Sequence, residues 1–407
     1  MNWNEGVDPT LLAKKLEELK VLKNGKVTFE AFASQEYMTV LSGMISLADG
    51  IPSELKRGII NTSIFSAAKK GVINQNSISK EIKIQESAYF KKPLSSHVLV
   101  SSLSISSFEE LPPIRINDCS ITFPASLPNK YRIARQEIDR RASQWIYRKK
   151  PINYINIIAR VKSRSVEESA NLALDQIDFI RGIWNLLHTN SMRISSGRIK
   201  PVNSILLGPV HTIHLPSKEL ATDTYWYQPN YHDDISAFRF SGNKEKTLTF
   251  TAKIRKQLRG HPYREFVEEG IRRYARALDY SDLDAAFLKL WAVLEMLTNT
   301  LKSTYNITVK RAVFVFDDTV FHQQVLNNLR SYRNSSVHSG KESNKQTESY
   351  LYQLKRYVEQ LLSFHIWVGV RFSNFTEATS FLDLKPNASE LSAQRKIIDL
   401  AIKYRKK

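Results

Sequence analysis

Hydrophobic positions change their spacing near the middle of the chain. Up to about residue 245, runs of β-branched and aromatic residues alternate with helical stretches. Beyond it, apolar residues recur every three or four positions almost without interruption. Residues 10–20 read as a short amphipathic helix entered through Pro9. From about 21 to 124 the texture is mostly that of a sheet. Strand-like runs at 26–32, 96–105 and 114–123 are punctuated by Pro112-Pro113 and Asn117-Asp118. A basic helix over 131–148 and a strand over 153–162 follow. Ser165-Val-Glu-Glu168 is a capping box that opens a helix carrying Ile177, Ile180, Trp184 and Leu187 on one side. Strands at 202–207 and 210–215 and an irregular aromatic stretch at 223–243 close this half.

The second half reads as successive helices. Pro262 starts one that runs to about residue 278. Ser281-Asp-Leu-Asp284 caps the next, whose inward side is Phe287, Leu290, Trp291, Leu294 and Leu297. Further helices are expected near 321–332, over 345–368 with Gly340 as the preceding stop, and from Pro386 to the C-terminal lysines. The expected fold class is α+β: an N-terminal mixed α/β domain over 1–245, then an all-helical bundle over 246–407.

Composition alters this picture in one respect. The 407 residues are 42% hydrophobic and 24% charged, ordinary for a globular chain, but the formal charge is +19. Such an excess favours polyanionic partners, nucleic acid first. The single cysteine, Cys119, excludes an internal disulfide or a thiolate metal cluster and fits a reducing cytoplasm. No basic segment followed by an apolar run opens the sequence, and no apolar stretch is long enough to span a bilayer, so neither a signal peptide nor a membrane partner is expected.

Candidate chemistry concentrates in Leu329-Arg-Ser-Tyr-Arg-Asn-Ser-Ser-Val-His-Ser-Gly340. Arg333 is a permanent cation with a planar donor fork, Asn334 an adjacent amide, and His338 an imidazole able to give or take a proton near neutrality. Cleavage of RNA by its own 2′-hydroxyl needs a base, an acid and a cation for the charged phosphorane, and these residue types supply all three. In a continuous helix, however, positions five apart point about 140° from each other. Either the helix breaks at Ser335-Ser336, or two protomers each present part of a composite site.

Tyr332-Arg-Asn-Ser-Ser-Val-His-Ser-Gly340, following Phe287-Leu-Lys-Leu-Trp-Ala-Val-Leu-Glu-Met-Leu297, resembles the HEPN ribonucleases, in particular their Apea-like branch. The resemblance covers roughly residues 247–370 and implies a helical bundle that cleaves RNA without a metal or any other cofactor. It implies a toxin or abortive-infection effector in prokaryotic antiviral defence, acting in the cytoplasm on RNA, with transfer RNA among the targets. By the same resemblance Arg333 and His338 carry over as catalytic residues, Asn334 as a third, and Glu295 as a supporting residue. It also favours a homodimer through the helical domain, with the motifs facing one another. The first half would then sense a trigger, restrain the nuclease or select the RNA, with a phage-derived trigger or a regulatory partner as a further expected partner. The alternative expectation is a non-catalytic RNA- or protein-binding module that uses the bundle as a dimerisation platform.

Arg181 and His188 fit a looser arginine–histidine spacing, but the pair reads as a solvated arginine and a helix-end histidine. Two basic stretches suit phosphate contacts or solvated helix faces: Lys130 to Lys150, interleaved with Tyr131, Trp145 and Tyr147, and Lys253 to Arg273. His211 and His214 fall on opposite faces of one strand and lack supporting ligands, so no metal site is expected there.

Overall fold

The computed structural model describes residues 1–29, 31–147, 151–189, 200–300, 305–339 and 345–406. The side chains of residues 31, 305, 337–339 and 345 lie outside that description, as do Arg148, Lys149, Lys150 and Gly340. The fold is α+β. Its N-terminal unit comprises β1 (Asn2–Trp3), α1 (Thr10–Glu18), β2 (Lys20–Lys23), β3 (Lys26–Phe29), α2 (Ala31–Gly43), β4 (Ile45–Ser46), α3 (Ser53–Lys70) and α4 (Gln75–Lys91). The sheet texture expected through this stretch is thus corrected, because residues 31–91 are mainly three helices. Ile60, Ile64, Ala67 and Ala68 on α3, and Ile78 and Ile82 on α4, recur at helical spacing and are buried. Most of them join Leu16, Leu41 and Ile45 in a separate hydrophobic cluster.

The next elements are β5 (Ser95–Ser106), β6 (Ile114–Ile116), β7 (Cys119–Thr122), α5 (Asn129–Trp145), β8 (Tyr154–Ser163), α6 (Val166–His188), β9 (Val210–His214) and β10 (Trp226–Tyr227). They build a six-stranded antiparallel sheet in the order β10-β9-β5-β8-β7-β6. β5 is its spine, with Leu99 opposite both Ala159 and Ile213. Alternation along β5 gives the sheet two faces. Val98 and Val100, with Ile158, pack against Tyr131 of α5, whereas Leu99, Leu103, Ile157 and Ile213 face the main core. Ser165 caps α6 by accepting from the Glu168 amide at 3.1 Å. Residues 202–207 do not form the expected strand; they run beside β5 through single bonds such as Ser104 N–H to the Leu206 carbonyl at 2.9 Å.

α7 (Lys244–Leu258), α8 (Arg264–Ala277), α9 (Leu283–Leu297), α10 (Tyr305–Val313), α11 (Thr319–Ser339), α12 (Lys345–Trp367), α13 (Phe375–Leu382) and α14 (Ala388–Arg405) complete the fold. α9 is the axis of the bundle and is buried around most of its circumference, including Phe287, Leu290, Trp291, Leu294 and Leu297. Its first turn is held by the Asp282 carboxylate, which accepts from the amides of Asp284 and Ala285 at 3.0 and 3.1 Å. α6 meets α8 closely at Gly182, where an added Cβ would stand 2.7 Å from Ile271 Cγ2 and 2.9 Å from its carbonyl oxygen. One hydrophobic cluster therefore continues from Leu99 of the sheet to Leu382 of α13, with members on both sides of position 245. Among the described residues no helix is long and apolar enough to cross a membrane.

Candidate functional site

The arginine–asparagine–histidine stretch occupies the last turns of α11, which is helical without a break to Ser339. Ser335 and Ser336 do not interrupt it. Ser335 instead turns its hydroxyl back to the Tyr332 carbonyl at 2.9 Å, a bond a helix accommodates. Positions 333 and 338 therefore leave the helix about 140° apart. Arg333 is half-buried and Asn334 exposed, and Arg333 Nη1 lies 3.4 Å from Asn334 Oδ1. His338 lies on the same helix, but its side chain lies outside the described residues.

What fixes this end of α11 is Tyr332, a residue quoted within the motif but given no role by sequence reasoning. Its hydroxyl donates to the Asp284 carboxylate on α9 and also bonds Thr347 Oγ1 on α12 at 2.8 Å. Its ring meets Phe287 edge-on at 5.0 Å and Tyr350 at 4.8 Å. Burial raises the Tyr332 pKa, and the hydrogen bond to Asp284 adds to this, so the phenol stays protonated as a donor. The signal available beforehand was the aromatic itself, placed one turn beyond the buried Leu329.

Helix directions set the local charge. α11 runs antiparallel to α12: Tyr332 meets the start of α12, while His322 meets Tyr357 farther along it, Nδ1 to hydroxyl at 2.8 Å. α9 and α12 are parallel, for His365 Nε2 near the end of α12 donates to the Leu297 carbonyl at the end of α9, at 2.9 Å. The N-termini of α9 and α12 thus converge where α11 ends, and their helix dipoles favour an anion there. Asp282 and Asp284 on α9 and Glu348 on α12 temper that field.

Glu295 is not brought to Arg333. It stands about 12 Å farther along α9 than Phe287, toward the other end of the helix. There its carboxylate accepts from the Trp291 indole N–H at 2.9 Å.

The other arginine–histidine pair is corrected in one half. Arg181 is not solvated; it has no exposed surface at all. Its guanidinium clasps Asp279 through two bonds of 2.8 and 2.7 Å and reaches Asp178 at 2.6 Å. Arg276 bonds Asp178 and Asp175, both at 2.5 Å, and Asn203 donates to Asp279 at 2.7 Å. Burial alone would raise the Asp178 carboxyl, but Arg181 and Arg276 hold it below its ordinary value. A cavity of about 490 Å³ opens beside this cluster, against His211. His188 does end its helix, with Nε2 2.7 Å from Thr247 Oγ1.

The strand histidines face opposite ways. His211 bonds Ser101 at 2.7 Å on the core side, and His214 packs edge-on against Tyr131 at 5.0 Å on the α5 side. Burial lowers their pKa values to about 3 and about 4. Both are neutral at pH 7. In the first basic stretch, Arg135 points inward and donates to the carbonyls of Val100 and Val210 at 3.1 and 3.2 Å, whereas Trp145 is exposed. Comparison of the chain with family models, with curated proteins and with solved structures finds no match.

Proposed function

We propose that the chain is a metal-independent endoribonuclease whose reaction centre forms where the α11 ends of two copies meet. The observation that carries this reading is the unbroken α11. It sets positions 333 and 338 on different sides of one helix, so residues from two helices are needed around one phosphate. Tyr332 pins that end between α9 and α12, and Arg333 and Asn334 emerge from a rigid base.

In the proposed step the 2′-oxygen of RNA bonds to the adjacent phosphorus and the bond from phosphorus to the 5′-oxygen breaks. One imidazole, His338 of either copy, takes the 2′-hydroxyl proton. The other, as imidazolium, delivers a proton to the leaving 5′-oxygen. Arg333 lies against the phosphoryl oxygens and offsets the charge of the phosphorane, and Asn334 orients one of them. The products are a 2′,3′-cyclic phosphate and a 5′-hydroxyl. Glu295 acts at most through the packing of α9. The HEPN resemblance extends this to a cytoplasmic toxin in phage defence, with the first half governing when or on which RNA it acts. The angular separation also suits a second reading, a binding module in which the same helix end is a dimer contact.

Incubating the protein with total and transfer RNA in the presence of chelator separates the two. Cleavage to cyclic phosphate ends, reduced at least about 10²-fold in His338→Ala and in Arg333→Ala, is the expected result. Dimer mass by light scattering with RNA bound but intact would instead support the binding module.

A further inference from the structure

A second cationic feature lies at the far end of α8 from Tyr332 and Asp284. α8 is 14 residues long, so the two are separated by about 20 Å along its axis. Here the turn between β6 and β7 faces the end of α7 and the beginning of α8, enclosing a cleft of about 280 Å³. Four arginines line it: Arg115 from β6, Arg255 from α7, Arg259 at the end of α7 and Arg264 at the start of α8.

The local sequence builds the cleft. Asn117, with φ of 51°, makes the tight turn after Arg115 and accepts from Arg264 through its side-chain oxygen. Arg255 reaches across to the Arg115 carbonyl. Arg255 and Arg264 are therefore held in place by the protein, whereas the Arg115 and Arg259 side chains are exposed at the rim. Ile116, Phe179 and Leu258 form an apolar floor.

The charge balance is uneven. Against four guanidiniums the lining offers one carboxylate, Glu268. That carboxylate is engaged by Arg264 at 2.6 Å and approached by Arg272 at 3.9 Å. Burial, and then the fields of Arg259 and Arg264, hold the Arg255 pKa below its ordinary value. An anion in the cleft would relieve that repulsion and accept the planar donor forks in pairs. The volume lies near the lower limit of roughly 300–1,000 Å³ for small-molecule sites, which suits a phosphate with its sugar rather than a folded partner.

We propose that the cleft of Arg115, Arg255, Arg259 and Arg264 is a phosphate-binding site, occupied by a phosphate of the RNA backbone or of a free nucleotide. This does not rest on the nuclease reading. It assigns a function to the second basic stretch, which by sequence suits a solvated helix face equally well.

A labelled 2′-O-methyl oligoribonucleotide is the first probe, because it lacks the attacking hydroxyl and reports binding without cleavage. Anisotropy titrations with wild type, Arg115→Glu, Arg259→Glu and, as a control on exposed α14, Lys396→Glu read the site. Expected is binding about tenfold or more weaker in each cleft variant and unchanged in the control, with a log–log salt slope shallower by about 0.7 per lost contact. Competition by ATP or pyrophosphate, absent in the cleft variants, assigns the site to free nucleotides as well; no competition leaves the RNA backbone as the source. Equal affinity in cleft variants and control, or no binding of any probe at low salt, overturns the proposal. Thermal melts verify folding, and Arg259→Gln replaces any charge reversal that melts early.

Discussion

A guanidinium with no exposed surface needs carboxylates, and Arg181 has two. The cost of desolvating these ions is repaid only while every member keeps its partners. Arg181→Met should therefore destabilise the protein by about 3–5 kcal/mol, since it removes the cation beside Asp279, leaving it the Asn203 amide, and leaves Asp178 to Arg276 alone. Adding Asp279→Asn should return a large part of that loss, and urea unfolding of the two variants measures both. The sequence could not reveal this role. Asp178 and Arg181 stand three apart on a helix, a spacing shared by solvated pairs, and the bidentate partner lies 98 residues away. Tyr332 was hidden for the same reason: its partners Asp284 and Thr347 belong to two other helices. Arg333, Asn334 and His338 were legible as candidates because they are neighbours in sequence, whereas the separation of Glu295 from Arg333 depends on how α9 and α11 are paired.

At the scale of elements, capped helices with a continuous apolar face are readable in the sequence, and helices whose apolar face is interrupted by serines are not. α6 and α9 show both their caps and their apolar faces in sequence. The β-branched and aromatic residues between 21 and 124 favour strands on average, yet Ile60, Ile64, Ile78 and Ile82 of α3 and α4 keep a four-residue period that burial obeys. Residues 202–207 failed the other way: the segment is apolar, but Asn203 turns aside to Asp279 and the Ala275 carbonyl. Gly182 tests the contact between elements. Alanine would gain up to about 1 kcal/mol in helix preference. Its methyl would stand 2.7 Å from Ile271 Cγ2, and overpacking costs about 1–3 kcal/mol. Because the Ile271 carbonyl is also within 2.9 Å and belongs to backbone, the clash should win. Gly182→Ala should lower the urea midpoint, and Gly182→Val should lower it further.

Over the whole molecule, burial keeps several histidines neutral. His211, His214 and His365 have pKa values of about 3, about 4 and about 4, against an ordinary 6.5. Their stabilising contribution is complete above pH 6.5. As pH falls from there toward 4 the unfolded chain takes up protons the folded chain refuses, and stability declines. Unfolding free energy should therefore drop between pH 7 and pH 5, with these three contributing up to about three protons of the slope and His97, His188, His261 and His322, whose pKa values burial also lowers, adding to it; a flat profile would mean that these histidines are charged in the fold. The α+β class was visible in sequence, but the continuity of the main core was not, since it is made by α6 meeting α8. That continuity has a consequence for synthesis on the ribosome. The sheet and α6 emerge before α8, and at roughly 5–20 residues per second the 98 residues from Arg181 to Asp279 take about 5–20 s. Through that interval the apolar face of α6 and its arginine wait uncovered. The end of α11, later still in the chain, gains its rigid base only after α12 has followed it out.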